Sequence, residues 1–76
     1  MAQNQLTFRE LLEQNRISFE DFYESCLNVD GQDIWMLFSE NLVTKGCLER
    51  MVSHLNSMTG KQYQVGDVFT THVYGE

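Results

Sequence analysis

The stretch from Ser18 to Leu55 decides the fold of this chain. It opens with Ser18-Phe-Glu-Asp-Phe-Tyr-Glu-Ser-Cys-Leu27, breaks at Asn28-Val-Asp-Gly31, and continues with Asp33-Ile-Trp-Met-Leu-Phe38. A third amphipathic segment follows, Leu48-Glu-Arg-Met-Val-Ser-His-Leu55. Two short helical patterns on either side of a tight turn, with another helix beyond, are typical of a helix-turn-helix unit in a small helical bundle.

Capping residues mark where the predicted helices begin. Thr7 and Glu10 have the spacing of a capping box, in which each side chain satisfies a free backbone N–H group of the other residue. Ser18, Asp30 and Thr44 are N-cap residues for three further helices. The predicted helices cover residues 8–14, 19 to 27 or 28, 32–39 and 45–56, and Asn15 is expected to end the first of them in the left-handed conformation. The last has the clearest amphipathic pattern, made by Leu48, Met51, Val52 and Leu55.

The length of 76 residues predicts one domain, residues 1–76, of the all-α class. We expect a compact bundle of four to five short helices, with a frayed tail at residues 1–5 and a connector at residues 40–43. Gly66 to Phe69 can open one last helical turn. Residues 70–76 are rich in β-branched and aromatic side chains, which favours an extended tail. Such a tail either packs against the bundle or pairs with another chain, which makes it a candidate dimerisation element.

The net charge of −6 arises from eleven acidic and five basic residues, and the acidic ones are concentrated in the first half of the chain. A surface of that sign repels nucleic-acid phosphates and anionic membranes. It is either a solvated face or a surface that meets a basic partner. The sequence has neither a secretory signal nor an apolar run long enough to cross a bilayer, so we expect a cytoplasmic protein with no membrane contact and with Cys26 and Cys47 reduced.

Several landmarks share their order and spacing with a known family. They are Leu6-Thr-Phe-Arg-Glu-Leu-Leu12, Ile17-Ser18 with Phe22, the pair Val29 and Ile34, Leu48-Glu-Arg-Met51 with Leu55, and Asp67-Val-Phe69. Through them, roughly residues 6–69 resemble the Cro/repressor-type (XRE) helix-turn-helix domain, with its lambda-repressor-like fold. The family usually has a small residue where this chain has Tyr23, and a turn glycine earlier than Gly31. These departures predict a different crossing angle between the second and third helices.

The resemblance implies a small DNA-binding transcriptional regulator that acts as a dimer and joins two half-sites. In this hypothesis Gln32, Ser39 and Asn41 approach bases, while Lys45 and Arg50 approach phosphates. The charge of the third helix opposes it, because residues 30–41 contain three acidic side chains and no basic one. Phosphate contacts supply a large share of the affinity of DNA-binding proteins, so this is a substantial departure.

The alternative is an acidic helical protein-interaction module that has lost DNA binding, such as an inhibitor, an adaptor or a mimic of DNA charge. Asp30, Asp33, Trp35, Met36 and Glu40 would then meet a basic protein partner. Trp35 and Met36 have two interpretations, because they are either core residues or an exposed apolar spot. Tryptophan and methionine are enriched at protein interfaces, which favours a protein partner if the spot is exposed.

The remaining chemistry-bearing residues do not form a recognisable site in the sequence. Cys26, Cys47, His54 and His72 are the only soft metal ligands, and none of them has the close spacing of a zinc site. The five glycines are isolated, so no phosphate-binding loop is present. We therefore expect no metal, no cofactor and no enzymatic activity.

Overall fold

The computed structural model describes residues 5–70 together with the backbone of residues 72–74. Helices make up most of this part of the chain: α1 (Phe8–Gln14), α2 (Phe19–Ser25), α3 (Gly31–Glu40) and α4 (Lys45–Thr59). Short strands accompany them: β1 (Leu6–Thr7), β2 (Leu42–Thr44), β3 (Val68–Phe69) and β4 (His72–Tyr74), with a 3₁₀ turn at Val65–Asp67. The fold is mostly helical, as predicted, but the strands mean that it is not purely α-helical.

The predicted capping residues stand at the helix starts. The Glu10 backbone N–H donates to the Thr7 hydroxyl at 3.1 Å, and the Thr7 N–H donates to the Glu10 carboxylate at 2.9 Å, which completes the capping box. Ser18 and Thr44 each accept a bond from the backbone N–H three residues further on. Asp30 occupies the N-cap position of α3 but makes no side-chain capping bond. Local sequence therefore determines where α1, α2 and α4 begin.

The end of α1 differs from the prediction. Asn15 is not left-handed, because its φ is −97°, and Arg16 adopts the left-handed conformation instead, with φ of 58°. The Arg16 N–H donates to the Glu13 carbonyl at 3.1 Å, and the Ile17 N–H donates to the Leu12 carbonyl at 2.9 Å. This pair of bonds is a Schellman motif with arginine in the position that glycine usually occupies.

Two further helix ends shift from their predicted places. Helix α2 ends at Ser25, two or three residues early, and the buried side chains of Cys26 and Val29 hold the turn to α3 against the core. Helix α4 runs three residues longer than predicted, to Thr59, and is capped by Gly60, whose φ of 75° is left-handed.

An aromatic cluster lies at the centre of the core. The ring of Phe8 from α1 contacts Phe22 of α2 and Phe38 of α3 edge-on, with centroid distances of 5.1 and 5.5 Å. The predicted apolar stripe of α4 is buried against this cluster. Its members are Leu48, Met51, Val52 and Leu55. The four helices therefore share one core, and its largest side chains come from α1, α2, α3 and α4 alike.

The extended tail pairs within its own chain. Strand β4 lies parallel to β2, with Val43 opposite Val73, so the predicted connector between α3 and α4 supplies its partner. Strand β1 pairs in the same way with β3, and Leu6 lies opposite Val68. Neither strand pair was predicted from the sequence. The tail therefore has its strand partner without a second chain, and residues 1–4, 71, 75 and 76 of the predicted tails lie outside the described residues.

The large Tyr23 side chain of α2, which is 42% exposed, lies beside Gly31 at the start of α3. The Tyr23 ring lies directly against the backbone of Gly31, where a Cβ atom would come within 2.8 Å of Tyr23 Cζ. The ring fits here because Gly31 has no Cβ atom. The space for Tyr23 therefore comes from a small residue on α3.

Candidate interaction groove

The exposed side of α3 carries the only tryptophan of the chain. Trp35 is 53% exposed, and Gln32 and Ser39, which lie about one turn away on either side, are exposed too. Met36 is half-buried. The interpretation of Trp35 as a core residue is therefore wrong, and that of an exposed apolar spot on α3 is correct.

Trp35 borders an open groove of about 440 Å³ between α1, the start of α2 and α3. We call it the Trp35 groove and define it by its lining, which consists of Arg9, Leu12, Glu13, Ile17, Ser18, Phe19, Trp35, Phe38 and Ser39. Leu12 and Phe38 are buried and form an apolar floor, and Phe19 packs edge-on against Phe38 at 4.8 Å. The groove is thus a concave apolar surface with one large exposed aromatic side chain.

The turn between α1 and α2 builds one wall of the groove. The Schellman motif brings Ile17 back toward Leu12, and this contact between the residue after the helix end and the last helical turn often accompanies the motif. Ser18 then caps α2 at once, so Phe19 falls in its first turn beside Phe38. The Schellman motif that ends α1 and the cap that begins α2 therefore position three lining residues, Ile17, Ser18 and Phe19.

The polar rim of the groove contains one charge of each sign. Arg9 Nη2 donates to the Phe38 carbonyl at 3.3 Å, in the last turn of α3. A helix carries partial negative charge at its carboxyl end, so this contact offsets part of the arginine charge. Glu13, one turn further along α1, is exposed on the rim.

The residues of the DNA-binding hypothesis do not gather at one place. Ser39 lines the Trp35 groove, and Gln32 is exposed near the start of α3. Asn41 is half-buried and left-handed, with φ of 58°, and it ends α3. Lys45 is exposed as the first residue of α4, and Arg50 lies more than one turn further along that helix.

Arg50 lies beside an acidic contact between α3 and α4. Its Nη1 atom is 4.0 Å from Cys47 Sγ, and the Cys47 thiol contacts Asp33 Oδ2 at 3.5 Å. Asp33 is half-buried, and this contact joins one of its carboxylate oxygens to α4. A phosphate approaching Arg50 would therefore meet the Asp33 carboxylate nearby.

The residues of the protein-interaction hypothesis also separate. Trp35 lines the groove, while Asp33 and Met36 are half-buried and lie outside its lining. Asp30 and Glu40 are exposed at the two ends of α3. The residues that sequence reasoning missed are those supplied by α1 and the α1–α2 link, namely Arg9, Leu12, Glu13, Ile17 and Ser18. Among these five residues, the sequence pattern singles out only Leu12, because it belongs to the apolar stripe of the predicted first helix.

Charge divides the described chain into two unequal parts. Residues 5–40 contain eight acidic and two basic side chains, whereas residues 41–70 contain two acidic and three basic ones. The groove belongs to the acidic part, but its lining carries one positive and one negative side chain, Arg9 and Glu13. The net charge of residues 5–40 is therefore not the charge of the groove.

A hydrogen-bonded serine–histidine pair and a buried thiol lie away from the groove. Ser25 Oγ is 2.8 Å from His54 Nε2, and the Phe22 ring packs edge-on against the imidazole at 5.3 Å.

Burial, and to a lesser degree the neighbouring Cys47, raises the pKa of the Cys26 thiol, so that thiol stays protonated and weakly nucleophilic at neutral pH. Within the described residues, no group of three or more histidine, cysteine or acidic side chains is arranged to hold a metal ion.

Comparisons with protein-family models, with curated proteins and with solved structures found no match to this chain. The helices of the described residues also fall short of what a bilayer crossing requires in length and apolar character.

Proposed function

We propose that this protein is a non-catalytic protein-interaction module on a helix-turn-helix scaffold, and that the Trp35 groove is its binding surface. The observation that supports this proposal is the exposure of Trp35 beside an apolar floor. An exposed tryptophan at a concave apolar site is a common anchor of protein interfaces. A core role would have buried the indole, as it buries Phe8 and Phe22.

The free energy available from Trp35 is large enough to matter for binding. A tryptophan side chain buries about 150–250 Å² when it is fully covered, and roughly half of that area is still open at Trp35. At about 25 cal/mol per Å², covering it is worth about 2–3 kcal/mol. This is the range of a hot-spot residue, and the apolar floor adds to it.

Site-specific photo-cross-linking tests this proposal. We would place a photoreactive phenylalanine at position 35, irradiate living cells of the source organism, and compare the products with those from position 27. Leu27 is the matched control because it is 88% exposed and lies outside the groove. We expect discrete cross-links to protein from position 35 and none from position 27. Equal cross-linking from both positions, or none from position 35, would contradict the proposal.

The second candidate is the DNA-binding regulator of the XRE type. Two observations favour it: the order α2, turn, α3 agrees with the resemblance, and Gln32 and Ser39 are both exposed seven residues apart on α3. Seven residues are two helical turns, so both side chains project from the same side. The net charge of residues 5–40 and the contact of Arg50 with Cys47 beside Asp33 oppose it.

A salt titration of binding to random duplex DNA separates the two candidates. For a protein-interaction module we expect no change in fluorescence anisotropy of labelled DNA, even at low salt. A DNA-binding regulator would bind, and the logarithm of its affinity would fall linearly with the logarithm of the salt concentration.

A further inference from the structure

We infer that His54, Met58 and Ser25 form a binding site for a soft monovalent metal ion of the copper(I) class, at the junction of α2 and α4. Ser25 is the last residue of α2, and His54 and Met58 lie four residues apart on α4. Residues with this spacing are neighbours on the surface of a helix. A thioether is a soft donor, so a methionine can complete a site that histidine and cysteine alone do not form.

The two soft donor atoms of this cluster meet at one hydroxyl group. Ser25 Oγ lies 2.8 Å from His54 Nε2 and 3.9 Å from Met58 Sδ. An ion placed beside this hydroxyl can therefore contact the imidazole nitrogen and the thioether sulfur after small changes in side-chain torsion. The three rotatable bonds of methionine make such an adjustment easy.

Phe22 holds the imidazole in place on the side of α2. Its ring is fully buried and packs edge-on against the His54 ring at 5.3 Å. The Ser25 hydroxyl also donates to the Phe22 carbonyl oxygen at 3.2 Å, so it would keep a hydrogen bond when an ion separates it from the imidazole. Met58 is 39% exposed, which leaves a path from solvent to its sulfur. The cluster is thus supported on one side and open on the other.

The donor atoms determine the class of ion. A thioether and an imidazole suit copper(I), whereas calcium and magnesium take oxygen ligands and structural zinc takes four ligands. None of the hydrogen bonds of Ser25 within the described part of the chain goes to a carboxylate. Cys26, the next residue, is buried and its thiol contacts Asn28 Oδ1 at 3.7 Å. A set of neutral donors therefore favours a singly charged soft ion over a doubly charged one.

Silver(I) is the probe for this site, because it shares the ligand preferences of copper(I) and is stable in air. We would titrate silver nitrate in chloride-free buffer into the full chain carrying Cys47→Ser, which removes the half-buried thiol, and follow the methionine methyl groups by NMR. We expect the Met58 methyl group and the His54 ring to shift together and to saturate as one site, while the methyl groups of Met36 and Met51 stay unchanged. If Cys47→Ser does not fold, the unsubstituted chain serves instead, with silver added beyond what its two thiols can bind.

Three substitutions assign the ligands. His54→Gln keeps a hydrogen-bonding group near Ser25, and Met58→Leu keeps the apolar bulk, but each removes one soft donor. Loss of an outer partner of a metal ligand costs about 10–100-fold in affinity, so the loss of either ligand should weaken silver binding by about tenfold at least. Met36→Leu is the matched control, because Met36 lies on α3, and it should leave the affinity unchanged.

Three results would overturn the inference. The first is a Met58 methyl group that does not respond to silver. The second is an equal response of Met36 and Met58, which would indicate indiscriminate binding to thioethers. The third is an unchanged affinity in His54→Gln, because the methionine would then bind the ion without the imidazole.

Discussion

At the scale of single residues, Arg16 stands where a glycine would cost less. The left-handed conformation brings the Cβ atom of an ordinary residue close to the neighbouring carbonyl oxygen, and the cost is about 1–2 kcal/mol. Glycine avoids this clash, although it has more conformational freedom in the unfolded chain. The two backbone bonds of the Schellman motif hold Arg16 in this conformation despite its cost.

Replacing Arg16 by glycine should therefore stabilise the domain. We expect Arg16→Gly to raise the free energy of unfolding by about 0.5–1 kcal/mol, measured by urea denaturation at constant ionic strength. Arg16→Ala is the matched control, because it removes the same charge but keeps the Cβ atom. An equal gain from Arg16→Ala would mean that the charge, and not the backbone conformation, is responsible.

At the scale of the elements, the outer end of the Tyr23 ring on α2 lies against the backbone of Gly31 at the start of α3. An added methyl group at position 31 favours the helix by its propensity, but it also collides with the Tyr23 ring. We expect Gly31→Ala to lower the free energy of unfolding by about 1 kcal/mol, since overpacking exceeds the gain in propensity. In the background of Tyr23→Ala the same substitution should be neutral or stabilising.

A double-mutant cycle measures this coupling directly. We expect an interaction free energy of about 1 kcal/mol or more between positions 23 and 31. Purely additive effects would show that the ring moves aside without cost, and that Gly31 is not needed for the crossing of α2 and α3.

The elements also show which parts of the fold the sequence could reveal. The starts of α1, α2 and α4 were predictable because each capping bond joins residues three positions apart. The strand pairs were not, because Leu6 and Val68 have no local signal that identifies them as partners. The Trp35 groove was predictable only in part. Trp35 itself could be recognised as an interface residue, but Arg9 and Leu12 reach it only through the packing of α1 on α3.

At the scale of the whole molecule, stability depends on a single small core. A 76-residue domain has a free energy of unfolding of about 4–11 kcal/mol, so one large cavity removes a substantial share of it. Leu55 is fully buried in the stripe of α4, and we expect Leu55→Ala to cost about 2–5 kcal/mol in thermal or urea unfolding.

Leu27→Ala is the matched control for Leu55→Ala. The chemical change is the same, but Leu27 is exposed, so its truncation should change the free energy of unfolding by about 0.5 kcal/mol at most. Similar losses at the two positions would contradict the burial of the α4 stripe, and with it the helical bundle.

The parallel pairing of β1 with β3 also has a consequence for folding during synthesis on the ribosome. The ribosome adds Leu6 long before its partner Val68, and it likewise adds the residues of β2 before those of β4. A nascent chain can wind α1, α2 and α3 while it emerges, but neither strand pair can close until the late residues have left the exit tunnel. During that interval the edges of β1 and β2 are open to other chains, and slow translation of the segment that contains β3 and β4 would prolong the risk of aggregation.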